Sequence, residues 1–213
     1  MGRNRIKLTK RHLERANIPE RYWSDVRLGN IPDSAPYKED VLRYLRNLEE
    51  NVERGDGLLL YSQSNGTGKT AISTIVLRMA LMLGYTGFFI RAAALQKAEV
   101  TDRAFDEFEL VSDRVRNVDV LVLDDLGKEH KAKSGFTESM VEDVIRERVQ
   151  RAKTTIITMN LLPGQLDTEY SKDFRNVLKE AFLTIHVVDA EEGGVDWRER
   201  RKQQLKWRQR RTS

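Results

Sequence analysis

Gly57-Leu58-Leu59-Leu60-Tyr61, then Ser62-Gln63-Ser64-Asn65, then Gly66-Thr67-Gly68-Lys69-Thr70, then Ala71-Ile72-Ser73-Thr74-Ile75-Val76-Leu77 is the stretch that decides the fold. The first apolar run, bounded by turn residues, reads as a buried strand. The run after Thr70 reads as a helix that begins where the turn ends. Strand, Gly-containing turn and helix in that order form a phosphate-binding loop. Gly66 and Gly68 let successive backbone N–H groups turn inward at an anion, and the helix start adds partial positive charge. Lys69 is placed to reach the β- and γ-phosphates, and the Thr70 hydroxyl to ligate Mg²⁺. Asn65, Gly66, Thr67, Gly68, Lys69, Thr70 and Ala71 make up the expected nucleotide cradle. The usual spacing has a glycine where this chain has Gln63.

A length of 213 residues suggests one domain with short appendages. No run of 18 apolar residues occurs and no hydrophobic segment follows Met1, so neither a membrane span nor a secretory signal is expected. Cysteine is absent, which excludes disulfides and thiolate-bound zinc and fits a reducing cytoplasm. The net charge of +4 is unevenly spread. Residues 1–15 carry six Lys/Arg against Glu14, and residues 196–213 carry eight against Asp196 and Glu199. The body between them is acidic. Basic ends on an acidic body suit a polyanion partner, and solvated tails have the same composition.

The remaining chain alternates apolar runs of two kinds. Arg3 to Asn17 is helix-compatible and basic. Tyr22-Trp23 follows, an aromatic pair that either packs on the body or covers a bound base. Pro32 and Pro36 mark a linker, and a helix from Glu39 or Asp40 carries Val41, Leu42, Tyr44, Leu45 and Leu48, with Asn51 to Gly57 as its exit turn. After the phosphate loop, the helix is expected to end at Gly84. Thr86 to Arg91 reads as a strand, and Ala92 to Arg116 as helix in two pieces, the second carrying Phe105, Phe108, Leu110, Val111 and Val115. Val118 to Leu123 reads as a strand, Phe136 to Arg151 as a helix, Thr154 to Met159 as a strand, Ser171 to Phe182 as a helix and Leu183 to Val188 as a strand. This predicts an α/β fold, a five-stranded parallel sheet covered on both faces. The expected division is a basic segment and linker helix over 1–50, a core over 51–190 and a basic tail over 191–213.

Asp124 ends an apolar strand and supplies the second requirement of a nucleotide site, a carboxylate near the metal. Asp125 can polarise the attacking water or stand behind Asp124 without a chemical duty. Asn160, at the tip of the next strand, can hold that water or contact the γ-phosphate without adding negative charge.

Gly66-Thr67-Gly68-Lys69-Thr70, Leu123-Asp124-Asp125-Leu126-Gly127 and Thr154 to Asn160 together resemble the Walker A, Walker B and sensor 1 motifs of an AAA+ ATPase. More narrowly they are similar to the DnaC/DnaI-type helicase loaders and the IstB-type transposition ATPases, and Gly193 to Arg198 resembles the same branch. The resemblance implies a P-loop NTPase that binds ATP and Mg²⁺ at subunit interfaces. It implies assembly as a homo-oligomeric ring or spiral around single-stranded DNA and a replicative helicase as partner. It implies an arginine reaching a neighbour's γ-phosphate, for which Arg175 is the candidate and Arg148 the second. Lys128, Lys131, Lys133 and Arg208 are the candidate DNA contacts, with Trp197 and Trp207 able to stack on bases. A tail helix folded on the body is the other reading of that end. The function expected is helicase loading, with ATP hydrolysis weak alone and stimulated by DNA or a partner. An IstB-like transposition ATPase on duplex DNA and an ATP-switched scaffold remain alternatives. Only about fifty residues precede the core, so helicase contact falls to Arg3–Arg15, to a compact phage-type arrangement, or to a different partner.

Overall fold

A computed structural model of the chain describes residues 5–24, 26–95, 111–127, 136–189, 193–194 and 196–197. Helices α1 (Lys10–Arg15), α2 (Lys38–Arg46) and α3 (Leu48–Arg54) precede strand β1 (Gly57–Tyr61). Then come α4 (Lys69–Met82), β2 (Gly87–Arg91), α5 (Val111–Asn117), β3 (Val120–Leu126) and α6 (Phe136–Gln150). Strand β4 (Thr154–Met159), α7 (Leu166–Glu169), α8 (Lys172–Ala181) and β5 (Phe182–His186) complete the order. The strands form one all-parallel sheet in the order β2-β3-β4-β1-β5. This is the five-stranded P-loop core expected from the sequence.

Alternation along each strand builds two cores, one on each face. Leu58, Leu60, Phe89, Val120, Val122 and Ile156 face α4, where Ile72, Ile75 and Val76 meet them. Leu59, Phe88, Ile90, Leu121, Leu123 and Ile157 face the other way, onto Val141, Val144 and Ile145 of α6 and Phe174 of α8. By the same parity Asp124 and Thr158 point to the α4 side.

The N-terminal residues complete the α4 face and close the sheet edge at β2. The Phe89 N–H donates to the Ala16 carbonyl at 2.9 Å, and the Asn17 amide donates to the Phe89 carbonyl at 2.8 Å. At Phe89, the middle of the edge strand, both backbone groups are therefore paired. Tyr22 and Trp23 pack against the α4-side core, and the Trp23 indole N–H donates to the Ile18 carbonyl at 2.7 Å. Arg78 of α4 ties the Tyr22 and Val26 carbonyls from below. Ile31, Ala35 and Tyr37 are buried, so the stretch read as a linker is packed into the body.

Three boundaries differ from expectation. Asn51 to Arg54, expected as part of an exit turn, are helical, because Leu48 and Val52 stand one turn apart and bury a stripe of their own in a separate short helix. Gly55, at φ 77°, then ends that helix. Strand β3 runs on through the acidic pair to Leu126 instead of stopping at Leu123. Strand β5 ends at His186, opposite Tyr61, where β1 gives out as its pairing partner. Phe105, Phe108, Leu110 and the loop 128–135 lie outside the described residues. Among the described residues no helix is long and apolar enough to cross a membrane.

Candidate active site

The carboxyl ends of β1, β3 and β4 and the start of α4 converge on one polar cluster. Gly66 and Gly68 have φ of 90° and 100°, a backbone that L side chains rarely adopt, so the turn needs glycine at both. Lys69 opens α4 and is only 6% exposed, because its stem lies under the loop. Its ammonium donates to the Ser64 carbonyl at 2.9 Å and to the Ser62 carbonyl and Thr67 hydroxyl at 3.3 Å. The loop's own oxygens thus surround the cation that the sequence assigns to phosphate.

Thr70 donates from its hydroxyl to Asp124 Oδ1 at 2.8 Å. The helix start and the strand end are therefore within one hydrogen bond of each other. Asp124 is 2% exposed. Burial pushes its pKa up, while hydrogen bonds from Thr158 and Thr70 pull it back; Asp125 adds to the rise and Arg91 opposes it. Arg91 is the register partner of Asp124 on β2. Asp125 takes φ 60°, and the Asn160 amide donates to its Oδ1 at 3.3 Å.

The donor set suits a hard cation. Thr70 and Asp124 offer two oxygens side by side, and among the described residues no cluster of three or more metal-ligating side chains exists. Mg²⁺ is commonly held by one or two protein oxygens with phosphates and water completing its shell, which is what this pair can provide.

The other candidates scatter. Arg175 lies half-buried on α8, its guanidinium donating to the Tyr170 carbonyl at 3.4 Å. Arg148 is fully buried at the opposite end of the sheet, where it donates to the carbonyls of Val115, Val118 and Thr154 and to the Thr155 hydroxyl. A side chain with no exposed surface cannot reach a neighbouring protomer, so Arg148 is structural. Lys128, Lys131, Lys133, Trp207 and Arg208 lie outside the described residues. Trp197 does not stand free for stacking. Its backbone N–H donates to the Gly66 carbonyl at 3.0 Å, and its ring lies where a Cβ on Gly68 would project.

Sequence reading missed several groups around the loop. Thr158 donates to Asp124, and Asp189, just past β5, accepts from the Ser64 hydroxyl. Thr158 carried one usable signal, a hydroxyl two residues before Asn160 and so on the same face of the strand.

The family model for IstB-like ATP binding protein matches residues 38–205. Among solved structures, the DnaC helicase loader aligns with a TM-score of 0.69 at 24% identity, over 80% of this chain and 100% of that one. DnaI aligns with a TM-score of 0.66 at 17% identity, over 79% and 94%. The replication initiator DnaA bound to AMPPCP and single-stranded DNA aligns with a TM-score of 0.61 at 22% identity, over 78% of this chain and 51% of that one. These likenesses are of fold. No curated protein matches the chain by sequence. The span matched by the family model takes in the phosphate loop, the Asp124–Asp125 strand end and Asn160, and the chain belongs to the IstB-like ATP-binding branch of the AAA+ proteins.

Proposed function

We propose that this protein hydrolyses ATP to load a hexameric replicative helicase onto single-stranded DNA, working as a homo-oligomeric ring or spiral. The observation that supports ATP hydrolysis is the 2.8 Å contact between Thr70 and Asp124, which joins the phosphate loop to an acidic strand end; helicase loading is supported by the likeness of fold to the DnaC helicase loader. In this reading Lys69 leaves its loop carbonyls for the β- and γ-phosphates, while Asn65 to Ala71 wrap the phosphates with backbone N–H groups. Thr70 and Asp124 hold Mg²⁺. The metal, when bound, neutralises charge that develops on the phosphoryl oxygens. Asp125 takes or orients the proton of the attacking water, and Asn160 holds that water in line. Arg175 is assigned to a neighbour's γ-phosphate, so turnover is weak in the isolated protomer. Lys128, Lys131, Lys133 and Arg208 are assigned to DNA phosphates. The core is assigned to residues 51–190, flanked by the basic extensions 1–50 and 191–213, in a cytoplasmic protein.

A rival reading, which rests on the resemblance to the IstB-type transposition ATPases, is a transposition ATPase acting on duplex DNA; the family match itself supports ATP binding. Binding and turnover separate the two. The full chain is titrated with single-stranded and duplex oligonucleotides at fixed salt, and ATP turnover is read with and without each. Tighter binding of single strands, turnover stimulated by them, and ATP-dependent capture of a purified hexameric helicase support loading. Duplex preference and no helicase capture support the rival. No ATP turnover under any of these conditions leaves a nucleotide-switched scaffold.

A further inference from the structure

Strand β3 fits one residue too many against β4. Leu123 pairs with Ile157 and Leu126 with Met159, so Asp124 and Asp125 together stand opposite Thr158. Such a bulge re-aims side chains at the end of a strand. The extra residue is absorbed at Asp125, whose φ of 60° is unfavourable for a side chain with a Cβ. A left-handed, half-buried aspartate one residue from the end of β3 needs its N–H satisfied from somewhere other than the strand pairing.

Thr158 provides that partner. Its hydroxyl is fully buried, accepts from the Asp125 N–H at 2.9 Å and donates to Asp124 Oδ1 at 2.7 Å. The polarity of this relay is fixed. A backbone N–H can only donate, so the one hydroxyl proton of Thr158 is committed to the Asp124 carboxylate. We propose that Thr158 is a positioning residue of the nucleotide site, whose single hydroxyl sets the Asp124 carboxylate and the Asp125 turn together. Asn160, two residues on and on the same face, grips the Asp125 carboxylate at 3.3 Å. One edge of β4 therefore holds both members of the acidic pair, one through Thr158 and the other through Asn160.

The arrangement explains why two hydroxyls share one carboxylate oxygen. Thr70 also donates to Asp124 Oδ1, at 2.8 Å. In the reading above, Thr70 turns to the metal when nucleotide arrives and gives up that bond. Thr158 has no such second duty, so Asp124 keeps its orientation through the change. The inference rests on the assignment of Thr70 and Asp124 to Mg²⁺–ATP.

The test uses the full chain and four variants of one position. Thr158→Val removes the hydroxyl at nearly constant volume, and Thr158→Ser keeps the hydroxyl while removing the methyl. Thr158→Ala against Thr158→Ser repeats the hydroxyl comparison if the valine does not fold. Thr158→Cys, a poorer donor at similar size, should fall between them. Calorimetry measures affinity for a non-hydrolysable ATP analogue in Mg²⁺ and in EDTA, and steady-state kinetics measure turnover. Valine and alanine are expected to cut turnover about 100-fold. They should also remove most of the affinity gained on adding Mg²⁺, while affinity in EDTA stays within about twofold of wild type. Serine should retain both properties within about threefold. The proposal is overturned if valine or alanine keeps both properties, or if serine is impaired as much as valine, which would make the methyl the working part. A wild-type chain that gains no affinity from Mg²⁺ overturns the Thr70–Asp124 assignment itself, and that result is read before any variant is made.

Discussion

Two cations are buried at opposite ends of the same parallel sheet, and the chain holds them in opposite ways. Arg148, below the amino ends of β3 and β4, is wrapped by backbone carbonyls from α5, the turn before β3 and the first residue of β4, at distances down to 2.6 Å. Burial pushes its pKa down to about 9, so it remains charged at neutral pH. Lys69, at the carboxyl ends, rests on loop oxygens at 2.9 to 3.3 Å. A planar guanidinium with five donors can close off a set of carbonyls permanently, whereas an ammonium on a flexible stem can trade one set of oxygens for another. The amino end is built to hold the fold together, and in the proposed function the carboxyl end exchanges partners with a ligand.

The sharpest way to break this contrast is at Arg148. Arg148→Met should cost about 3–5 kcal/mol of stability, because the carbonyls it serves and the Thr155 hydroxyl would be left buried without a donor. Arg148→Lys should recover little, since one ammonium cannot span the same acceptors. Urea denaturation measures both. Nucleotide affinity of the folded fraction should be unchanged, and a variant that stayed stable yet lost ATP would reverse the assignment of the two ends.

Lys69→Ala is the mirror experiment. It should weaken ATP binding about 100-fold, equivalent to about 2.7 kcal/mol, because the charge on the terminal phosphates loses its nearest counter-ion. Stability without nucleotide should fall by about 1 kcal/mol, less than at Arg148, since three loop oxygens, those of the buried Ser62 and Thr67 and of the half-buried Ser64, lose one donor. Calorimetric titration and a denaturation curve on the same sample decide it. Unchanged ATP affinity would sink the site.

How much of this division could be read beforehand depends on the distance over which each residue acts. The carboxyl-end cluster was legible wherever local order carried it. A glycine turn between strand and helix marked Lys69 and Thr70, and the ends of two apolar runs marked Asp124 and Asn160. The bulge was hidden because its left-handed residue is Asp125, where a glycine would have advertised it. Thr158 was hidden because threonine is an ordinary strand former, so its hydroxyl looked like propensity. Arg148 follows Arg146 and Glu147 in a charged run that reads as a solvated helix face, and only the folded chain brings α5 and the start of β4 around it. Trp197 and Asp189 meet the phosphate loop across more than a hundred residues of sequence, beyond the reach of any local pattern.

Trp197 sharpens the contrast from the ligand side. Its N–H on the Gly66 carbonyl and its ring against Gly68 brace the loop from outside. Trp197→Ala should weaken ATP binding about fivefold, close to 1 kcal/mol, by letting the empty loop wander from the shape that receives phosphate. Tighter binding in the variant would mean instead that the tryptophan holds the loop in a shape that nucleotide must undo. Titration of the variant with an ATP analogue distinguishes them.

The smallest effect lies in two aspartates, one just before β3 and one near its carboxyl end. Asp119, just before the strand, is pushed up by burial but pulled further down by Lys153, whose ammonium donates at 2.8 Å, and by Thr86. Its folded pKa therefore lies below the ordinary 3.8. Asp124, at the other end, has a folded pKa above that value. Their linkage to stability has opposite signs. The Asp119 contribution is complete above pH 3.8 and is lost as pH falls through its folded pKa. The Asp124 contribution is complete below pH 3.8 and is lost as pH rises through its folded pKa. Asp119→Asn should therefore lower stability at pH 7 by about 0.5 kcal/mol, a modest figure because the group is partly exposed and screened. It should also flatten the acid limb of the curve. Asp124→Asn should leave the nucleotide-free protein at least as stable at pH 7 and remove the decline just above pH 4, because the neutral amide escapes the penalty of an ionised group in a dry site. Denaturation midpoints collected from pH 3 to pH 7 read both slopes. A nucleotide-free Asp124→Asn protein less stable than wild type at pH 7 would show that the carboxyl end, too, is built for stability, and the contrast between the two ends of the sheet would fail.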